Sequence, residues 1–268
     1  MKKRMILTGL CALSIYFTTF GQENKLLTFD FIDFNKKAVV ANWLCLYDII
    51  AWWTSDSVMA SNPEEINKLG GEWFCFETND RNWHAVYGKY EDNKMNIVLH
   101  YLVDTTYSVS RIYETIDTAF LNTHARALMI AQEQITGIKD SINLRFNQYI
   151  KQNEDKTFTV WIFPAFQPNG LAVYGGEFIY KIDKTGTKIL EDNSYYQGQF
   201  RGFKVDEPRE IWLNYTELEK PTIGNVFFIW YYKKYFTHIN LDNKNHITTA
   251  FKDEDENYSW VHVDKRKK

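Results

Sequence analysis

The sequence predicts an α+β fold. An antiparallel meander sheet, mostly in the C-terminal half, packs against a buried N-terminal helix and a long helical segment interrupted at Gly137. Three observations predict it. Apolar runs separated by turn residues recur from Thr157 to Val263. Residues Lys36–Thr54 are apolar around most of a helical circumference. Arg111–Ile150 repeats apolar side chains at helical spacing. The chain has 268 residues, 45% apolar and 24% charged, which excludes collagen-like, coiled-coil and disordered classes. Its 31 basic and 34 acidic side chains leave no positive footprint for nucleic acid. The unusual quantity is aromatic content: 9 Trp, 17 Tyr and 19 Phe, or 17% of the chain.

Met1–Gly21 reads as a secretory signal peptide. Lys2, Lys3 and Arg4 precede an uncharged, mostly apolar stretch from Met5 to Phe20, and Thr19 and Gly21 occupy the −3 and −1 positions of a cleavage site. The stretch is shorter than the roughly 20 residues of a spanning helix. A retained anchor is the alternative. Leu10 stands where lipidation of Cys11 needs a small residue, so cleavage is the expectation. The lysine-first signal implies a bacterial protein, exported to the periplasm or outside. Cleavage leaves 28 basic against 34 acidic residues, a formal charge of −6 over 247 residues. Two N-glycosylation patterns, at Asn214 and Asn257, are then chance matches. Cys45 and Cys75 are the cysteines left in the mature chain. An oxidising compartment permits a bridge worth about 3 kcal/mol; two buried thiols packing as small apolar groups are the alternative.

No Pro/Gly/Ser-rich linker or repeat divides residues 22–268, so a single α+β domain is expected: a helix and hairpin over 22–107, a helical segment over 108–151 and a β-rich half over 152–268. Asn35 is placed to cap the first helix. Its stripes, Val39, Trp43, Leu46, Ile50 and Trp53 beside Val40, Leu44, Tyr47 and Ala51, predict a helix buried on most sides. Trp73–Thr78 reads as a strand, and Trp83–Tyr90 with Met95–Val103 as a hairpin. As one helix Arg111–Ile150 would run about 60 Å, against a radius of gyration of about 18 Å for a compact domain of this length. Two segments meeting at Gly137 are therefore expected. In the second half, Phe158–Phe166 and Leu171–Ile182 flank a Gln167-Pro168-Asn169-Gly170 turn, and Asp183–Gly186 leads to Thr187–Leu190. Val226–Leu241, read as a buried strand, and His246–Phe251 flank Asp242–Asn245. The acidic run Asp253–Glu256 and the basic tail Lys265–Lys268 are expected in solvent.

The candidate sites follow from residue chemistry. Asp48 lies on an almost wholly apolar helix, so its carboxylate must pair, accept hydrogen bonds or stay protonated. His124 follows Asp117 by nearly two helical turns, which sets both beside Ala127 and Ala131 as an acid–base pair, as two metal ligands, or as a polar helix border. A turn pairing Phe166 with Leu171 sets Phe163 opposite Tyr174 and Trp161 opposite Gly176, so that Trp161 fills the gap the glycine leaves. Gly175-Gly176 marks a bulge or close approach. Trp161, Tyr174 and Glu177 are the expected ligand-binding residues, with rings beside a carboxylate suiting a sugar or other amphipathic ligand. The alternative is a two-faced sheet with Glu177 at the surface. A four-residue loop pairing Tyr90 with Met95 sends His84 and His100 to opposite faces, so no metal is expected there.

There is no GxSxG elbow, Gly-rich phosphate loop, HExxH or Glu-x-x-His pattern, and no motif requires a cofactor. The leading expectation is an exported, non-catalytic protein binding a small molecule, glycan or envelope protein through an aromatic-rich sheet. A hydrolase using Asp48, His124 and Glu177 is the second reading and requires those groups to converge. A structural envelope protein is the third.

Overall fold

The computed structural model describes residues 28–265. Met1–Gly21 and the end of the basic tail lie outside the described residues. The first helix, α1, runs Phe31–Met59, longer at both ends than its apolar pattern suggests, and Asp30 caps it by accepting the Asp33 amide at 3.0 Å. Leu44, Tyr47 and Ile50 are fully buried, but Val39 is 71% and Trp52 56% exposed. The helix therefore buries one side and turns an apolar margin outward.

After a short turn, α2 (Pro63–Ile66), come β1 (Glu72–Glu77), β2 (Trp83–Glu91), β3 (Lys94–Val103) and β4 (Val109–Arg111). They form an antiparallel sheet in sequence order. Asp92 and Asn93, both at positive φ, make the two-residue β2–β3 turn, and Tyr90 pairs Met95 as expected. Beyond Tyr87 and Gly88 a bulge shifts the register.

The helical segment is α3 (Thr118–Gln134) and α4 (Thr136–Ser141), broken at Ile135, two residues before Gly137. The helical reading fails at both ends, because Arg111 closes strand β4 and helix begins only at Thr118, while beyond Ser141 Phe146–Gln152 is strand β5. Its alternation serves two faces, Asn147 and Tyr149 toward α1 and Ile150 toward α3. β6 (Phe158–Pro164), β7 (Leu171–Ile182) and β8 (Ile189–Asp192) continue this second sheet, and β9 (Tyr195–Lys204) pairs with β7. The expected turn forms, with the Gly170 amide donating to the Gln167 carbonyl at 3.0 Å. The register differs: Trp161 faces Ile179 rather than Gly176. Pro164 has no amide for the ladder and ends β6, and the Ala165 amide turns to the Arg145 carbonyl at 2.8 Å. The glycine pair does mark a bulge, on the β9 side, and the ring over Gly176 is Phe200, whose Cε1 would lie 2.7 Å from an added Cβ.

The third sheet, β10 (Glu210–Tyr215), β11 (His238–Asn243), β12 (His246–Lys252) and β13 (Tyr258–Asp264), is antiparallel except for the parallel pair β10–β11. Between those two strands Ile223–Tyr232 is helix α5, not the strand expected over Val226–Leu241. A crossover must return the chain to the same end of the sheet, and a helix does so. Thr222 opens it with a capping box, accepting the Asn225 amide at 3.2 Å while Asn225 accepts the Thr222 amide at 3.1 Å. The segment is apolar on every side because it lies between α1, the second sheet and the third sheet.

The first two sheets share a layered core. Cys75, Ala85, Leu99, Tyr149, Trp161 and Ile179 pack beneath α1. Phe74, Val86, Ile150, Val160 and Phe178 pack against Leu121, Ala125 and Leu128 of α3. The third sheet closes a separate core on Phe228, Ile229 and Tyr232 of α5. This is an α+β fold with antiparallel sheets and an N-terminal helix packed on them. Among the described residues no helix is long and apolar enough to cross a membrane.

Candidate functional site

The first helix places Asp48 inward, between α1, β5 and α5. Its Oδ1 accepts the Asn147 amide at 2.6 Å and the Tyr149 hydroxyl at 2.9 Å, and its Oδ2 accepts the Tyr231 hydroxyl at 2.6 Å. Burial pushes the carboxyl above its ordinary range, and the three donors oppose that shift. Burial drives the phenol of Tyr231 upward as well, and the Asp48 charge adds to it.

Beside Asp48, α1 and α5 part to leave a cleft of about 820 Å³, within the range of small-molecule sites. Asn42, Cys45, Leu46, Ile49, Trp52 and Trp53 line it from α1, and Trp230, Tyr231, Lys233, Lys234 and Tyr235 from α5 and its C-terminal turn. The α1 residues recur at helical spacing, so one stripe forms a whole wall. Tyr107 closes one end, its ring 5.6 Å from that of Trp53. It holds a left-handed backbone at φ 65°, uncommon for a non-glycine residue, in a turn built by Asp104, whose Oδ1 accepts the Thr106 and Ser108 amides. At the other end the Lys233 ammonium sits 3.6 Å over the Trp230 ring and donates to the Trp230 carbonyl at 2.9 Å. The two walls are tied together where Trp230 Nε1 donates to Asn42 at 3.2 Å. Rings, one carboxylate and ammonium groups on facing helices can hold an amphipathic molecule by stacking and directed polar contacts.

Trp161, Tyr174 and Glu177 do not form an open site. All three are buried, because α5 lies over the sheet face that the strand reading of 226–241 leaves uncovered. Trp161 packs beneath Trp43 of α1, and Tyr174 against Phe228 of α5. Glu177 accepts the Gly224 amide at the start of α5, and a Cβ at Gly224 would press on the Glu177 side chain. Burial raises this carboxyl to about 7 against the pull of Thr222, Gly224 and Lys37. The space left between Tyr174 and Glu177, about 20 Å³, takes one water molecule.

His124 is buried on the opposite face of the second sheet, stacked on Phe74, with its Nδ1 2.7 Å from the Phe120 carbonyl; burial lowers its imidazole to about 4. Asp117 is not its partner but the cap of α3, accepting the Phe120 amide at 2.9 Å. Asp48, His124 and Glu177 therefore do not converge on one cleft. Cys45 and Cys75 are free buried thiols, each pushed upward by desolvation. The bulge in β3 overturns the separation of His84 and His100: His84 now pairs Leu102 and His100 pairs Val86, so both imidazoles share a face with nitrogens 2.9 Å apart. No group of three His, Cys, Asp or Glu able to hold a metal occurs among the described residues.

Of the expected site residues, the cleft includes Asp48 and Cys45. Sequence reasoning missed Trp52, Tyr107, Trp230 and Lys233. The signal for Trp52 was available, because the tandem Trp52-Trp53 cannot place both rings in one core. No protein-family profile, curated protein or solved structure matches this chain, so its site rests on its own geometry.

Proposed function

We propose that the chain is an exported, non-catalytic binding protein that takes an amphipathic small molecule into the cleft between α1 and α5. The observation that carries this reading is the cleft itself: aromatic walls from two helices around a carboxylate already held in place by three donors. Exposed rings cost little to order on binding and offer large contact areas. The separation of His124 and Glu177 from Asp48 weighs against the hydrolase reading. A structural envelope role would instead use the outer face of the third sheet, where Trp212, Phe251, Val261 and Val263 are exposed.

Native mass spectrometry of the mature protein from its own exported fraction tests the proposal. The expected result is a chain beginning at Gln22 that carries a non-covalent adduct, lost in Trp53→Ala and Tyr107→Ala at unchanged thermal midpoint. An adduct retained by both variants would place the ligand elsewhere and overturn the cleft assignment. A chain that retains Met1–Gly21 and stays in the cytosolic fraction would overturn export.

A further inference from the structure

The charges around the cleft are unbalanced, and the imbalance has a direction. Asp48 spends both oxygens on internal donors: Asn147 and Tyr149 on one, Tyr231 on the other. Lys233 and Lys234 also line the cleft, and neither joins any of the ion pairs among the described residues. Lys233 is half-buried, with one of its three N–H groups given to the Trp230 carbonyl. Lys234 is exposed, 5.1 Å from the Tyr235 ring centroid. A partly desolvated ammonium without a counter-charge favours an incoming anion, most of all where water is displaced by rings. At the far end Ile49, Trp52, Trp53 and Tyr107 present a continuous apolar surface, with Tyr107 58% exposed.

Resting on the cleft reading above, we infer that the ligand is an amphiphilic anion. Its apolar body lies along Ile49, Trp52, Trp53 and Tyr107, and its carboxylate, sulfate or phosphate group is held by Lys233 and Lys234. The rings suit a planar body, and an alkyl chain offers the same chemistry from a second source.

Calorimetric titration of the mature chain with naphthalenesulfonate, naphthalenemethanol and naphthylmethylammonium, three probes of one ring and three charges, tests this. The sulfonate binds about tenfold more tightly than the alcohol, and the ammonium binds weakest. That margin shrinks in about 0.5 M salt and in Lys233→Gln and Lys234→Gln. Because Lys233 also holds a helix carbonyl, Lys234→Gln with an unchanged thermal midpoint is the decisive variant. Octanoate, in a parallel titration, separates the sources: a preference for either anion supports the inference and names the body. Equal affinity for sulfonate and alcohol, with both lost in Trp53→Ala, would overturn the anionic assignment and leave the cleft standing. No binding of any probe at millimolar concentration would overturn the cleft reading and this inference together.

Discussion

Asp48 and Glu177 are both carboxylates inside the protein, and their surroundings treat them differently. Asp48 is held by three side-chain donors that converge from α5 and β5. Glu177 relies on a helix N-terminus, with Gly224 and Thr222 as its nearest donors, and its carboxyl still rises to about 7. Between pH 4.5 and about 7 the folded protein therefore keeps a proton that the unfolded chain has released. Stability from this group is present in full below pH 4.5 and is lost as pH rises through 7. Glu177→Gln keeps an acceptor for the Gly224 amide without the buried charge. Urea denaturation should show the variant more stable than the parent by about 2 kcal/mol at pH 8, with no gain at pH 4. A gain of equal size at both pH values would mean that packing, not charge, separates the two side chains.

The elements were legible where local periodicity and burial agree. The helix over Lys36–Thr54, the hairpin turned at Asp92-Asn93 and the turn at Gln167–Gly170 all form. The failures lie where every side of an element is covered. Val226–Tyr232 is as apolar as a central strand, so periodicity cannot choose between the two. The capping residues Thr222 and Asn225, rather than the apolar run, carry the helical signal. Thr222→Ala removes the acceptor for the Asn225 amide and should cost about 1 kcal/mol in chemical denaturation, with Thr222→Ser restoring most of it. If Thr222→Ala is neutral, α5 is held by its packing alone. Phe146–Gln152 was misread for the converse reason: its residues fit a helix locally, and pairing with β6 decides their state.

At the scale of the whole molecule, four buried or half-buried imidazoles lower stability in acid. Burial is the leading cause that holds His84 and His100 below their ordinary value, and His124 and His262 at about 4. Each takes up a proton on unfolding between its folded value and about 6.5, so its contribution to stability is lost as pH falls through that window. Asp48 and Glu177 act in the opposite sense but are fewer. The urea midpoint should therefore be lower at pH 4.5 than at pH 7, and a flat or rising midpoint would show that the carboxyls dominate. By itself the sequence determined the α+β class, the N-terminal helix, the turns and the need for Asp48 to find partners, because these follow from residue chemistry over short spans. Only the tertiary structure decided which face each sheet buries, that α5 seals Glu177 while leaving the cleft beside Asp48 open, and that a bulge brings His84 to His100. Those outcomes depend on strand register and helix docking, where one inserted residue reverses a face and no local pattern records it.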